Sequence, residues 1–361
     1  MKPDEFAQRR ARLTAEFAER RVHALAVGFG ANLRYLTGFT GSNGMLLLLA
    51  DGAVFFTDPR YTIQAAAEVN CRVKVCRKPL LPELLALAKK TRIRRLGFDP
   101  AHTTCEQHET LKSGLSLNAT LVPVAGWIEQ HRMIKSPDEI ARLRRSVATN
   151  SEAFERAARH VRAGMKERDL AAELEYQMRR LGAEKPAFDT IVAGGERSAL
   201  PHAQPTSAAI RAGDLVIVDM GAMQDGYASD MTRMLCVGRP GAKEKRLYRA
   251  VLEAQQAAIA EVRPGVSAMR VDAAARTVLK AEKLDKAFVH STGHGLGLEI
   301  HEPPRIGKKE KTRLQEGMAI TIEPGVYLEG FGGIRIEDTV VVTRTGCEVL
   351  TPTSKELRVI P

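Results

Sequence analysis

The sequence predicts an α+β protein in two parts: an alternating α/β domain over residues 1–128, then a duplicated domain over residues 133–361. Three observations carry this. Apolar strand-like runs alternate with helical stretches in the first third. A helix-start signal stands at residues 136–139. The remainder then repeats its own motifs in the same order.

The first domain opens with Phe6, Leu13 and Phe17 at helical spacing. Residues 24–27 and 45–50 read as strands. The second continues through the turn dipeptide Asp51-Gly52 into residues 53–57, which makes a hairpin. Residues 81–90 read as a helix, and residues 96–98 and 120–124 as strands. His102 and His108 are isolated in the sequence and are expected to be structural or exposed.

The boundary lies between Gly126-Trp127 and Lys135. Ser136, Pro137 and Glu139 form a capping box with proline at the first helical position. The helix is expected to run towards Gly164 as its stop. Val161-Arg162-Ala163-Gly164-Met165 recurs as Val262-Arg263-Pro264-Gly265-Val266. His202-Ala203-Gln204-Pro205 recurs as His301-Glu302-Pro303-Pro304. A strand ending in Asp219-Met220-Gly221 recurs as one ending in Glu323-Pro324-Gly325. Each half therefore reads helix, helix, strand, His-x-x-Pro, hairpin, and the two halves are expected to close around a common centre.

Composition narrows the function classes. At 361 residues and 44% hydrophobic, the chain has material for more than one domain. The net charge of +11 comes from basic residues interleaved with acids, and aromatics make up 5% of the chain. That pattern reads as solvated surface, so no nucleic-acid partner is expected. Cys71, Cys76, Cys105, Cys236 and Cys347 are odd in number and lack C-x-x-C spacing, which points to free thiols in a reducing compartment. The N-terminus is charged at once and no run is long enough to cross a bilayer. A soluble, cytoplasmic protein without a membrane partner is expected. Asn118-Ala119-Thr120 matches a glycosylation acceptor, which has no meaning without secretion.

The chemistry lies in the second domain. Val216-Ile217-Val218 leads to Asp219, Gln224-Asp225-Gly226 signals a turn, and the returning strand carries Asp230. A hairpin centred near Gln224-Asp225 sets Asp219 opposite Asp230. The second copy repeats this with Glu323 and Glu337 about a turn near Gly330. Four inward carboxylates in an apolar interior require cations between them. Between the hairpins, His290, His294 and His301 fall within twelve residues, among glycines that permit close backbone approach. An oxygen-rich set with one or two imidazoles suits Mn²⁺ best, with Zn²⁺, Co²⁺ and Fe²⁺ admissible. Two carboxylate-bridged metals, about 3.5–4 Å apart, activate a shared water and polarise a carbonyl. Hydrolysis is the chemistry that follows.

These residues resemble the pita-bread metallopeptidase family, which includes methionine aminopeptidase, aminopeptidase P, prolidase and creatinase. The resemblance implies a creatinase-type N-terminal α/β domain followed by a duplicated pita-bread catalytic domain. It implies two divalent ions held by Asp219 in Val-Asp-Met-Gly, Asp230 in Ser-Asp-Met-Thr-Arg, His294 in Gly-His-Gly-Leu-Gly, Glu323 in Ile-Glu-Pro-Gly and Glu337 in Arg-Ile-Glu-Asp. Asp230 and Glu337 would bridge the ions, and Glu323 would also move the proton of the shared water. The complete set argues against the creatinase branch and against non-catalytic binding homologues.

The first domain narrows the branch. Tyr35-Leu36-Thr37-Gly38-Phe39-Thr40-Gly41 and Thr57-Asp58-Pro59-Arg60-Tyr61 resemble the proline-specific enzymes, more the aminopeptidase P side. By that resemblance His202 and His301 hold the scissile carbonyl and amide, and His290 lines the proline subsite. Arg335 would orient the substrate or the site, and Tyr327 would stand near the metals. The expected function is an Xaa-Pro aminopeptidase acting on peptides with proline at the second position, as a homodimer. The alternative is an Xaa-Pro dipeptidase (prolidase) restricted to dipeptides. That enzyme must meet a free carboxylate beyond the proline, so a second cation such as Arg305 in the site shifts the reading towards it.

Overall fold

Runs of Leu, Val and Phe set the frame of the first unit in the computed structural model, which describes residues 3–361. The chain divides after Arg132, and the second unit runs from Met133 to Pro361.

The first unit contains α1 (Pro3–Ala15), β1 (Ala24–Val27), α2 (Gly30–Thr37), β2 (Gly44–Leu49), β3 (Gly52–Thr57), α3 (Thr62–Glu68), β4 (Arg72–Val75), α4 (Leu80–Lys90), β5 (Arg95–Phe98), α5 (Cys105–Gly114), β6 (Thr120–Pro123) and α6 (Trp127–Arg132). The strands form one sheet in the order β4-β3-β2-β1-β5-β6. β2 runs antiparallel to both its neighbours and the other pairs are parallel. Successive residues Leu46, Leu47 and Leu48 are all buried, so both faces of the sheet are covered. Leu47 and Phe56 share a core with Leu84 and Leu85 of α4. His102 is not isolated. Its ring stacks on Phe29 with centroids 3.7 Å apart, and its Nε2 lies 3.6 Å from Glu129 and 3.8 Å from Asp99.

The second unit opens with α7 (Pro137–Ala157). Ser136 accepts from the Glu139 N–H at 3.3 Å, and the Glu139 carboxylate accepts from the Ser136 N–H at 2.9 Å. The helix stops at Ala157, earlier than Gly164. A short 3₁₀ turn follows and Val161 takes extended backbone as it enters the core. Gly164 has φ +87° and serves a turn, its N–H donating to the Ile210 carbonyl.

After α7 come α8 (Glu167–Arg180), β7 (Lys185–Pro186), β8 (Ile191–Gly194), β9 (Leu215–Met220), β10 (Ala222–Gln224), β11 (Tyr227–Ala228) and β12 (Met231–Val237). The second half begins with α9 (Ala242–Glu261) and α10 (Ala268–Ala281), followed by β13 (Gly293–Gly295), β14 (Glu302–Ile306), β15 (Ala319–Ile322), β16 (Gly325–Leu328), β17 (Gly332–Arg335), β18 (Asp338–Val342), β19 (Cys347–Val349) and β20 (Arg358–Ile360). The larger sheets run β20-β12-β9-β8 and β14-β13-β15-β18-β19.

The duplication extends to single hydrogen bonds. Gly164 donates to Ile210, and Gly265 donates to Leu314. Ile210 returns a bond to Met165, and Leu314 returns one to Val266. Gly213 and Gly317 both have positive φ and donate to Val237 and Val342 at the ends of their sheets. Helices α9 and α10 bury Val251, Ala254, Ala258, Val271 and Ala275 in a core that also takes Ile217, Ile320 and Val340 from both sheets. The carboxylate hairpins are thus anchored from behind by packed apolar side chains.

Removing the Ser136 hydroxyl orphans a helix-start N–H at the first element of this unit. Ser136→Ala is expected to cost about 1 kcal/mol and to lower the unit's melting temperature by about 2–4 °C. An unchanged melting curve would show that the cap contributes nothing.

Candidate metal centre

Each half contributes one carboxylate hairpin, and register decides where the acids fall. The first turn is centred on Asp225-Gly226, both with positive φ, and Gln224 pairs with Tyr227. In the adjoining ladder Thr232, not Asp230, stands opposite Asp219. The expected direct pairing of the two aspartates is therefore corrected by a shift of two residues. Because strand side chains alternate with period two, Asp230 keeps the face of Thr232 and Asp219 and becomes a diagonal neighbour. In the second half Ile322 pairs with Asp338, and Gly325 pairs with Arg335. The register on both sides places Glu323 across from Glu337.

The four acids and the four histidines His202, His290, His294 and His301 line one cleft of about 870 Å³, together with Arg305 and Arg335. Ligand atoms of Asp230, His294 and Glu337 lie within 4.8 Å of one another. His294 Nε2 is 3.5 Å from Asp230 Oδ2 and 3.4 Å from Glu323 Oε1. The glycines around His294 are steric necessities. A Cβ on Gly293 would strike the Thr321 carbonyl, and one on Gly295 would strike the Pro303 carbonyl. Among the described residues, Asp99, His102 and Glu129 of the first unit form another group of metal-ligating type.

Electrostatics tests whether cations fit here. Burial raises the Asp230 carboxyl well above the usual carboxylate range, and the charges of Asp219 and Glu323 raise it further. Burial raises Glu337 in the same way, reinforced by Asp230, Glu323 and Asp219. Asp219 Oδ1 and Glu337 Oε1 are buried without a hydrogen-bond partner among the described residues. His294 Nδ1–H donates to the Gly295 carbonyl at 3.0 Å, which turns Nε2 towards the carboxylates of Asp230 and Glu323. Orphaned carboxylate oxygens gathered in one buried site repel unless a cation lies between them. The donor set fits divalent metal.

Arg335 is 3% exposed and organises the floor of the site. It donates to Asp219 Oδ2 at 2.6 Å, Tyr327 Oη at 2.5 Å, Thr232 Oγ1 at 3.1 Å and the Pro201 carbonyl at 3.3 Å. Burial opposes its charge, but Tyr327, Asp219, Glu323 and Glu337 outweigh that and hold it ionised. Burial pushes Tyr327 up to about 12. His290 Nδ1–H donates to the Ser291 carbonyl at 2.8 Å, so Nε2 of the neutral ring accepts from the Tyr327 hydroxyl at 2.9 Å, whose oxygen in turn accepts from Arg335. Desolvation lowers the His290 pKa, and His301 is lowered by desolvation and by His294 beside it. Both shifts favour the neutral imidazole.

All the residues singled out from the sequence converge here, with Tyr327 joined through Arg335 and His290. Two threonines were missed. Thr232 Oγ1 donates to Glu337 Oε2 at 2.7 Å, and Thr321 Oγ1 donates to Glu323 Oε1 at 3.2 Å. Centring the first turn on Asp225-Gly226 would have revealed Thr232.

The chain is similar to known proteins along nearly its whole length. The model of metallopeptidase family M24 matches residues 141–344, and that of the creatinase/prolidase N-terminal domain matches residues 9–134. An Xaa-Pro dipeptidase of Pyrococcus horikoshii is 37% identical over 344 residues, covering 95% of this chain and 96% of that protein. The solved structure of an Xaa-Pro dipeptidase from Bacillus anthracis superposes with a TM-score of 0.96 at 36% identity, covering 98% of this chain and 100% of that one. That of an X-Pro aminopeptidase from Thermotoga maritima does so with a TM-score of 0.91 at 34% identity, again covering 98% and 100%.

The raised carboxyls give a signed expectation. A carboxyl whose folded pKa lies above its unfolded value stabilises the metal-free fold at low pH, and that stability is lost as pH rises through the folded pKa. Bound cations replace those protons, so the rise in melting temperature on adding Mn²⁺ should grow as pH rises above the ordinary carboxylate range. An increment independent of pH would contradict the assignment of Asp230 and Glu337.

Proposed function

The chain belongs to metallopeptidase family M24, and from that premise we propose that it is a dinuclear-metal Xaa-Pro dipeptidase. The observation that carries the substrate reading is Arg305. It stands opposite His294 in the β13–β14 register, is exposed to the cleft, and makes no hydrogen bond or ion pair among the described residues. A free guanidinium at that place suits the carboxylate of a C-terminal proline. The sequence alone leaned towards longer substrates. The position of Arg305, and the naming of several similar proteins as Xaa-Pro dipeptidases, favour the dipeptide.

In this reading Asp219, Asp230, His294, Glu323 and Glu337 would hold the two ions. Divalent metal bound there supplies Lewis acidity and a water of lowered pKa. The chain's own residues do the rest. Arg335 and Thr232 fix the directions of Asp219 and Glu337. Glu323, whose carboxylate accepts from Thr321 Oγ1 at 3.2 Å, would serve as the proton acceptor of the site. His202 and His301 meet the scissile carbonyl and the departing proline nitrogen. A neutral His301 can hydrogen-bond a neutral group there. His290, locked by Tyr327 and Ser291, walls the proline ring. Mn²⁺ is the ion best suited to this donor set, with Zn²⁺ or Co²⁺ admissible.

His202→Ala and His301→Ala should retain metal and lose about 10²–10³-fold in kcat. Loss of metal from either variant would make that histidine a ligand and break the scheme.

Substrate length is tested by comparing kcat/KM for an Xaa-Pro dipeptide, its C-terminal amide and an Xaa-Pro-Yaa tripeptide. The dipeptide is expected to be preferred over the tripeptide by about a hundredfold, about 2.7 kcal/mol in transition-state binding. Arg305→Ala should cost the dipeptide about tenfold to a hundredfold and the amide little, since a hydrogen bond to a charged group contributes about 1.5–3 kcal/mol. Comparable rates on dipeptide and tripeptide would make the enzyme an aminopeptidase.

A further inference from the structure

Two buried charges stand behind the acids, and neither lines the cleft. Arg233 of β12 is 2% exposed and Asp338 of β18 is fully buried. Arg233 Nη2 donates to Asp338 Oδ1 at 2.7 Å. Its Nη1 donates to the carbonyls of Thr232 at 3.0 Å and Glu337 at 2.5 Å. Its Nε and Nη2 donate to the carbonyls of Ser354 at 2.9 Å and Thr353 at 2.7 Å. The other Asp338 oxygen accepts from Gln255 at 2.8 Å and pairs with Lys355 at 2.5 Å.

Around this pair the two hairpins are stitched together. Glu337 N–H donates to the Thr232 carbonyl at 3.2 Å, and Thr339 Oγ1 donates to the Asp230 carbonyl at 3.0 Å. Arg233 is thus bonded to the backbone of Glu337 and of Thr232, whose hydroxyl holds the Glu337 carboxylate.

Stability alone is a poor reason for such a pair. A buried ion pair is often no more stabilising than apolar side chains of the same volume. Apolar side chains, however, cannot bond four carbonyls in fixed directions, and lysine lacks the planar fork that does so. We propose that Arg233 and Asp338 are positioning residues that set the spacing of Glu337 against Asp230 across the hairpin seam. They thereby fix the geometry in which those two acids share divalent ions. This rests on the metallopeptidase reading above.

The test is a Co²⁺ titration of the metal-stripped full chain, read by visible absorption, beside thermal melts of the stripped protein. Arg233→Lys keeps the charge facing Asp338 but loses the fork. It is expected to fold, to bind at least one ion about tenfold more weakly, and to give an altered cobalt spectrum. Asp338→Asn should act in the same direction. Lys355→Met removes the other cation of Asp338 without touching a seam carbonyl, and should bind both ions as the wild type does. If Arg233→Lys does not fold, Asp338→Asn decides. Wild-type cobalt binding in a folded Arg233→Lys overturns the proposal. So does unfolding of both seam variants, or an equal loss of affinity in Lys355→Met. A wild-type chain that takes up no Co²⁺ would remove the metallopeptidase reading itself, which separates that failure from the others.

Discussion

Mutual repulsion among buried carboxylates is the constraint on which the rest of this structure depends. Asp219, Asp230 and Glu337 are each less than one-tenth exposed, and Glu323 faces them across the same cleft. Without counter-charge, an interior holding these groups would lose its charges by protonation or open to water. One fixed cation, Arg335, answers only part of the charge and is spent on Asp219. The remainder is left for mobile cations. The protein therefore has to hold the acids in place in their absence, and the fold does so from behind. The apolar cores under both sheets and the helices α9 and α10 oppose the expansion that repulsion would drive.

The duplication explains how one chain gathers so many acids. A single hairpin brings two carboxylates to one face, and a second copy facing it doubles the number without a new architecture. The copies have diverged where their roles differ. His202 sits in a turn, whereas His301 directly precedes β14, whose Arg305 stands opposite His294. One half thus offers a histidine on a loop, and the other offers a histidine and a guanidinium carried by a strand. In the proposed reading a peptide between them would meet different groups at its two ends, which a symmetric site could not provide.

Much of this was legible in the sequence, and what was not has physical reasons. The capping box at Ser136 and the strands of the first unit are local signals, and local signals determine them. Glu323 and Glu337 could be paired because two ladders flank them in one register. Asp219 and Asp230 were mispaired because the turn was centred one residue too early, on Gln224-Asp225. A one-residue error in the turn centre moves the partner by two positions, which changes the neighbour but not the face. The site therefore survived a wrong register. The helix end at Ala157 was missed because a tertiary contact, the burial of Val161, overrides the glycine signal. His102 was set aside because Phe29 and Glu129 are brought to it only by the fold, and Asp99, three residues away, is no signal by itself.

The same reasoning shows why Arg335, Tyr327 and His290 belong to one device rather than three. Arg335 must stay charged to neutralise Asp219, and its acidic surroundings ensure that it does. A charged Arg335 donates to Tyr327 Oη, and His290 Nδ1–H is committed to the Ser291 carbonyl. Nε2 of the neutral ring, which burial favours, then accepts from the Tyr327 hydroxyl. The contacts thus run from His290 through Tyr327 and Arg335 to Asp219. His290 and the Asp219 carboxylate are coupled through a single guanidinium. The cleft holds them as one unit because no link in that series can change its protonation without leaving a buried donor or acceptor unpaired.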